Sequence, residues 1–93
     1  MGKLSETEET MLLLLLSKSD NGLKKDITGN CNEFPEYMHF NLKNIIEKLK
    51  LHDYISFGQV YIGGDWHIVL TPDATSYFER KGMREELFEE LTE

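Results

Sequence analysis

The chain has 93 residues, of which 40% are hydrophobic and 11% aromatic, and its formal net charge is −7. That is enough for one small folded domain and too apolar for a disordered segment. The acidic balance argues against avid nucleic-acid binding by the surface as a whole, because phosphate contacts depend on cations.

The first predicted helix runs from about Glu6 to Lys18. Ser5 and Glu8 have the spacing of a capping box, and Glu6, Glu8 and Glu9 suit the positive end of a helix. Met11 to Leu16 reads "MLLLLL", and its five Leu cover every side of the helix. Such a helix is either central in the core or has one face against another molecule. The run is far shorter than the roughly 20 residues of a membrane span. The preceding "LSETEET" is acidic, the wrong sign for a signal peptide. We therefore expect no membrane association and a cytoplasmic protein.

"SKSDNG" (Ser17 to Gly22) ends the helix with turn-forming residues. In "LKKDITG", Leu23 and Ile27 are four apart, which fits either a single helical turn ended by Gly29 or the start of a short strand. "NCNEFPE" (Asn30 to Glu36) reads as a loop, with Pro35 suited to the first position of the next helix. Cys31 is the only cysteine, so an intrachain disulfide is excluded and a reducing compartment is expected.

The next helix is predicted over Glu36 to Leu51. Met38, Leu42, Ile45, Ile46 and Leu49 recur at helical spacing and form its core stripe. Glu36, His39, Asn41, Lys43, Asn44, Glu47, Lys48 and Lys50 then point outward.

"YISFGQVYIGGDWHIVLT" (Tyr54 to Thr71) reads as a β-hairpin. A two-residue Gly63-Gly64 loop would mix apolar and polar residues on both faces. A three-residue loop, Gly63-Gly64-Asp65, pairs Ile62 with Trp66, Val60 with Ile68 and Gly58 with Leu70, gathering the apolar residues on one face. Burial of one face sets register, so the three-residue loop is predicted. Tyr61 then faces His67, and Gln59 faces Val69. Beyond the hairpin, Thr71 is the predicted cap of a helix with Pro72 at its first position and Ala74, Tyr77 and Phe78 inward. Gly82 ends it. A last acidic helix, Met83 to Leu91, is predicted within 83–93.

The order helix, short element, helix, hairpin, helices resembles a winged helix-turn-helix, in which the hairpin is the wing. "LTPDATSYFERKG" resembles the Thr-capped step that follows the wing in many bacterial winged-helix proteins. More narrowly, "LKLHDYISFGQVY" with that step is similar to the YjcQ-like family of small winged-helix proteins from Gram-positive bacteria and their phages. This chain departs from the pattern in its longer loop "GNCNEFPE" and in Ala74, where Gly is common. The resemblance covers about Leu12 to Gly82 and implies an α+β fold, a winged helix with a three-helix core, a two-stranded wing and C-terminal helices; the whole chain, 1–93, is read as that one domain.

It further implies a DNA-binding domain of a small bacterial or phage transcriptional regulator. The second long helix would enter a major groove. His39, Asn41, Lys43 and Asn44 would then read bases or backbone, and Lys24, Lys25 and Lys48 would extend a positive face. The charge distribution allows this, since Ser17 to His52 holds six Lys against five acids. From Gly82 onward, Arg84 stands against Glu85, Glu86, Glu89, Glu90 and Glu93. The predicted wing tip, however, has no Lys or Arg. The alternative is a winged-helix protein-interaction module without DNA binding. Its candidate surfaces are the stripe Met83, Leu87 and Leu91 and the surplus Leu of the first helix, either of which could also join a homodimer.

Enzymatic chemistry is not expected. His39, His52 and His67 match no zinc spacing. Gly63-Gly64 lacks the Lys and Ser/Thr of a phosphate loop. No nucleophile is identifiable beside Asp65 and His67. No catalytic residue, metal or cofactor is assigned.

Overall fold

The structure is a computed structural model that describes residues 4–80. The predicted helix bearing Met83, Leu87 and Leu91 lies outside the described residues. Helix α1 (Glu6–Lys18) begins with the expected reciprocal cap. Ser5 Oγ accepts the Glu8 N–H at 3.2 Å, and Glu8 Oε1 accepts the Ser5 N–H at 3.0 Å. The Leu-rich run is mostly internal: Met11, Leu12, Leu15 and Leu16 are buried, while Leu13 is 56% exposed. Asp20, Asn21 and Gly22 then turn the chain at φ 55°, 56° and 90°, a region that short polar side chains and glycine tolerate.

"LKKDITG" resolves as a strand. Strand β1 (Asp26–Asn30) buries Ile27 and leaves Leu23 in water. Two short 3-10 segments follow, Cys31–Glu33 and Glu36–Asn41, and then α2 (Leu42–Leu51). The single helix expected over Glu36 to Leu51 is thus corrected: it is α-helical only from Leu42. Tyr37, His39, Phe40 and Asn41 are middling helix formers. Asn41, at φ −108° and ψ 10°, breaks the helical geometry between the two segments. The core stripe itself is as expected, with Met38, Leu42, Ile45, Ile46 and Leu49 all buried.

Strands β2 (Ile55–Val60) and β3 (Asp65–Leu70) form the predicted hairpin, but the sheet has three antiparallel strands in the order β1-β3-β2. The expected two-stranded wing is therefore part of a larger sheet. The hairpin register also differs. Val60 faces Trp66 and Gly58 faces Ile68, while Gln59 rather than Tyr61 faces His67. The loop has three residues, Ile62-Gly63-Gly64, closed by the Tyr61 N–H donating to the Asp65 carbonyl at 2.7 Å. Gly63 and Gly64 take φ 94° and 90°. The shift is by two residues, so Trp66, Ile68 and Leu70 keep the predicted core face and are buried together, but Ile62, expected on that face opposite Trp66, falls in the loop and is fully exposed. The cause lies in β1, where Asn30 pairs with Asp65 and its Nδ2 donates to Asp65 Oδ1 at 2.9 Å. Asp65 is thereby a strand residue and not part of the loop.

Residues 72–80 form α3, with Ala74 and Tyr77 buried. The Thr71 hydroxyl donates to the Asp53 carbonyl at 2.5 Å, tying the start of α3 to the approach to β2. The described residues thus form an α+β fold of three helices and a three-stranded antiparallel sheet, compatible with a winged-helix arrangement. No helix among them is long and apolar enough to cross a membrane.

Candidate interaction face around the second helix

The 3-10 segment Glu36–Asn41 determines what stands at the start of α2. In a 3-10 helix, residues three apart eclipse one another. Met38 turns into the core at 0% exposure, which puts Tyr37 and Phe40 together on the outer side at 63% and 99% exposure. His39 lies between them and is held back. Its Nε2 is 3.0 Å from the Phe34 carbonyl. A carbonyl only accepts, so this nitrogen carries the proton and donates.

On α2, Lys43, Asn44, Glu47, Lys48 and Lys50 are exposed. Lys48 Nζ lies 3.6 Å from Glu8 Oε2, and the Glu8 side chain is only 8% exposed. The Lys48 charge is thus committed to the start of α1. Between these elements runs an open groove of about 530 Å³, lined by Ser5, Thr7, Glu8, Tyr37, Asn41, Asn44, Ile45, Glu47 and Lys48.

The seven residues proposed from sequence as DNA contacts therefore separate. Asn41, Asn44 and Lys48 line the groove. Lys43 is exposed outside its lining, and His39 is tied to the preceding loop. Lys24 and Lys25 precede β1, with the Lys25 carbonyl accepting the Leu70 N–H at 2.8 Å. They stand at one edge of the sheet, while α2 packs against β2 at the other. The hairpin tip adds no cation: it presents Ile62, fully exposed, and Tyr61, 48% exposed.

Several contacts had no counterpart in the sequence reading. His67 Nε2 is 2.5 Å from Asp26 Oδ1, and Phe57 packs on the same imidazole with ring centroids 5.1 Å apart. The first contact depends on β1 being a strand, and the second joins β2 to β3. Lys18 pairs with Glu33 at 2.5 Å and lies 5.1 Å from the centre of the Trp66 ring. The hydrogen bond from Lys18 holds the Glu33 carboxyl below its usual range. Tyr77 donates to Glu9 Oε2 at 2.9 Å. Burial first, and the Glu9 carboxylate second, push the Tyr77 phenol up to about 12. For Tyr37 and Phe40 a signal was present: they fall outside the Met38-Leu42-Ile45-Leu49 stripe, so an apolar pair was due to face water. The chain matches no protein-family model, no curated protein and no solved structure.

Proposed function

We propose that this chain is a small winged-helix domain of the YjcQ-like type that works in the cytoplasm as a protein-interaction module. Its working face is the outer side of Glu36–Asn41 and the adjoining part of α2. The observation that carries this reading is the pair Tyr37 and Phe40, 63% and 99% exposed at the start of the helix. Large aromatic groups left in water dominate the energetics of protein interfaces when they find a pocket. The charge around them is poorly suited to phosphate, since Lys48 is paired with Glu8 and Glu47 stands beside it in the groove.

Duplex DNA is the second reading. Lys43 and Asn44 favour it, being exposed on successive positions of α2 and chemically able to meet phosphate and adenine.

One pair of measurements separates the readings. Fluorescence anisotropy with random duplex at low salt is expected to show no binding by the wild type. Selection of a peptide library on the wild type, counter-selected on Phe40→Asp, is expected to enrich binders. Binding to duplex that falls steeply with salt, is lost in Lys43→Ala and is untouched by Phe40→Asp would reverse the order of the two proposals.

A further inference from the structure

We propose that the outer edge of β2 is a self-association surface, and that a second copy of this chain pairs with it across a two-fold axis at Gly58.

Tyr61 donates its N–H to the Asp65 carbonyl, so Tyr61 and Asp65 are a hydrogen-bonded pair of the antiparallel ladder. Along the register, Gln59 with His67 and Phe57 with Val69 are the next such pairs. Alternation then turns the backbone N–H and C=O of Gly58 and Val60 away from β3, toward the open side. No backbone bond beyond the β3 ladder engages either residue among the described residues.

Sheet edges in soluble proteins are usually guarded by charge, proline or covering elements. The β1 edge is guarded in this way: the outward N–H of Asn30 donates to Glu33 Oε2 at 3.2 Å, and Glu33 is paired with Lys18. The β2 edge is not. From Tyr54 to Ile62 the chain has no charged residue and no proline.

Neutrality is also what selects the occupant. A chain of net charge −7 repels its own copy over most of its surface, but two β2 strands meet without like charges. An antiparallel pair centred on Gly58 exchanges two hydrogen bonds between the two Gly58 residues. It sets Gln59 opposite Phe57 of the second copy. Tyr61 falls on the diagonal to that Phe57, within reach of an aromatic side chain. Phe57 and Tyr61 are 39% and 48% exposed in the single chain, so the pairing covers apolar surface on the outer face of the sheet. The interface is isologous, and it produces one continuous six-stranded sheet.

Sedimentation equilibrium of the full chain, from low micromolar to near-millimolar concentration, tests this. The expected mass rises from the 10.8 kDa of one chain toward twice that value. Gln59→Lys is expected to raise the dissociation constant by roughly ten-fold, because it sets two ammonium groups on the diagonal across the axis, each opposite Phe57 of the other copy. Backbone amide exchange gives a second readout. In the dimer, Gly58 and Val60 exchange slowly; in Gln59→Lys they exchange fast, while Phe57, bonded to β3, stays protected in both. A wild type that remains at 10.8 kDa throughout overturns the proposal. So does a dimer whose Gly58 and Val60 amides exchange freely, or one that Gln59→Lys leaves intact.

Discussion

Gly58→Ala tests how closely α2 is seated on the sheet. A Cβ at Gly58 would lie 2.3 Å from Ile46 Cγ2 and 3.1 Å from Ile55 Cδ1, against ordinary carbon contacts of about 3.5–4.0 Å. Ile46 and Ile55 are 2% and 1% exposed, so neither can swing into solvent. The branch methyl of Ile46 has to retreat by more than about 1 Å, and with it α2. Overpacking of this kind costs about 1–3 kcal/mol. The φ at Gly58 is not left-handed, so the entropy an alanine removes from the unfolded chain returns about 0.4–1 kcal/mol. The net expectation is a loss of about 1–2 kcal/mol, or roughly 5–15 °C in Tm for a domain of this size. Ile46→Ala alone should cost about 2–5 kcal/mol through the cavity it leaves. In the double variant the new methyl occupies that cavity, so the two costs should fall short of their sum by about 1 kcal/mol or more. Urea denaturation followed by circular dichroism, at concentrations low enough to keep the chain monomeric, measures all three. A Gly58→Ala protein within about 0.5 kcal/mol of wild type, or strict additivity in the double variant, would refute the close seating of α2 on β2.

Tyr77→Phe should cost about 1.5–3 kcal/mol at neutral pH, because it removes a hydrogen bond to the Glu9 carboxylate. The Tyr77 phenol is raised in the fold from 10.0 to about 12, so its contribution is complete below pH 10 and is lost as pH rises toward 12. Urea midpoints should therefore fall more steeply across that window for wild type than for Tyr77→Phe; equal slopes would count against the buried phenol. For Glu33 the sign is opposite. Its pKa is lowered from 4.5 in the fold, so its contribution is present above that value and is lost as pH falls through the folded value. Glu33→Gln should cost under about 1 kcal/mol at pH 7, as for other exposed pairs, and should flatten the decline of the urea midpoint below pH 4.5. An unchanged acid slope in Glu33→Gln would place the acid sensitivity elsewhere.

The helical half of the fold was legible because its signals are local. Ser5 and Glu8 lie three apart and cap each other, and the α2 stripe is set by a repeat that needs no partner to be recognised. The hairpin was legible in its faces, since parity alone separates Trp66 and Ile68 from His67. Its register was not, because the residue that holds Asp65 is Asn30, 35 positions earlier. Strand β1 was the obscure element. "DITGN" has no alternation of apolar residues, and only Ile27 of its five is buried. Its strand character comes from pairing with β3, a tertiary term that overrides weak local propensity. The candidate site divides along the same line. That residues 43, 44, 47 and 48 face outward followed from spacing. That Lys48 is taken by Glu8 and His39 by the Phe34 carbonyl depends on where α1 and the preceding loop dock.

One inconspicuous strand thus sets the character of the β2 edge. By pairing with β3, β1 makes β3 the central strand and leaves β2 as an edge with no further strand beside it among the described residues. By holding Asp65 through Asn30, it shifts the three-residue loop to Ile62-Gly63-Gly64 and leaves Ile62 fully in water. It also sets Asp26 against His67, which keeps the outer face of the sheet polar on the β1 side and leaves the apolar share, Phe57 and Tyr61, beside the β2 edge. The asymmetry is chemical as well as geometric, with a charged, capped edge at β1 and a neutral, uncapped one at β2. A chain that is strongly acidic overall but leaves one edge strand without charge concentrates its capacity for self-recognition there. Under the function proposed above, the aromatic pair at the start of α2 serves a different partner.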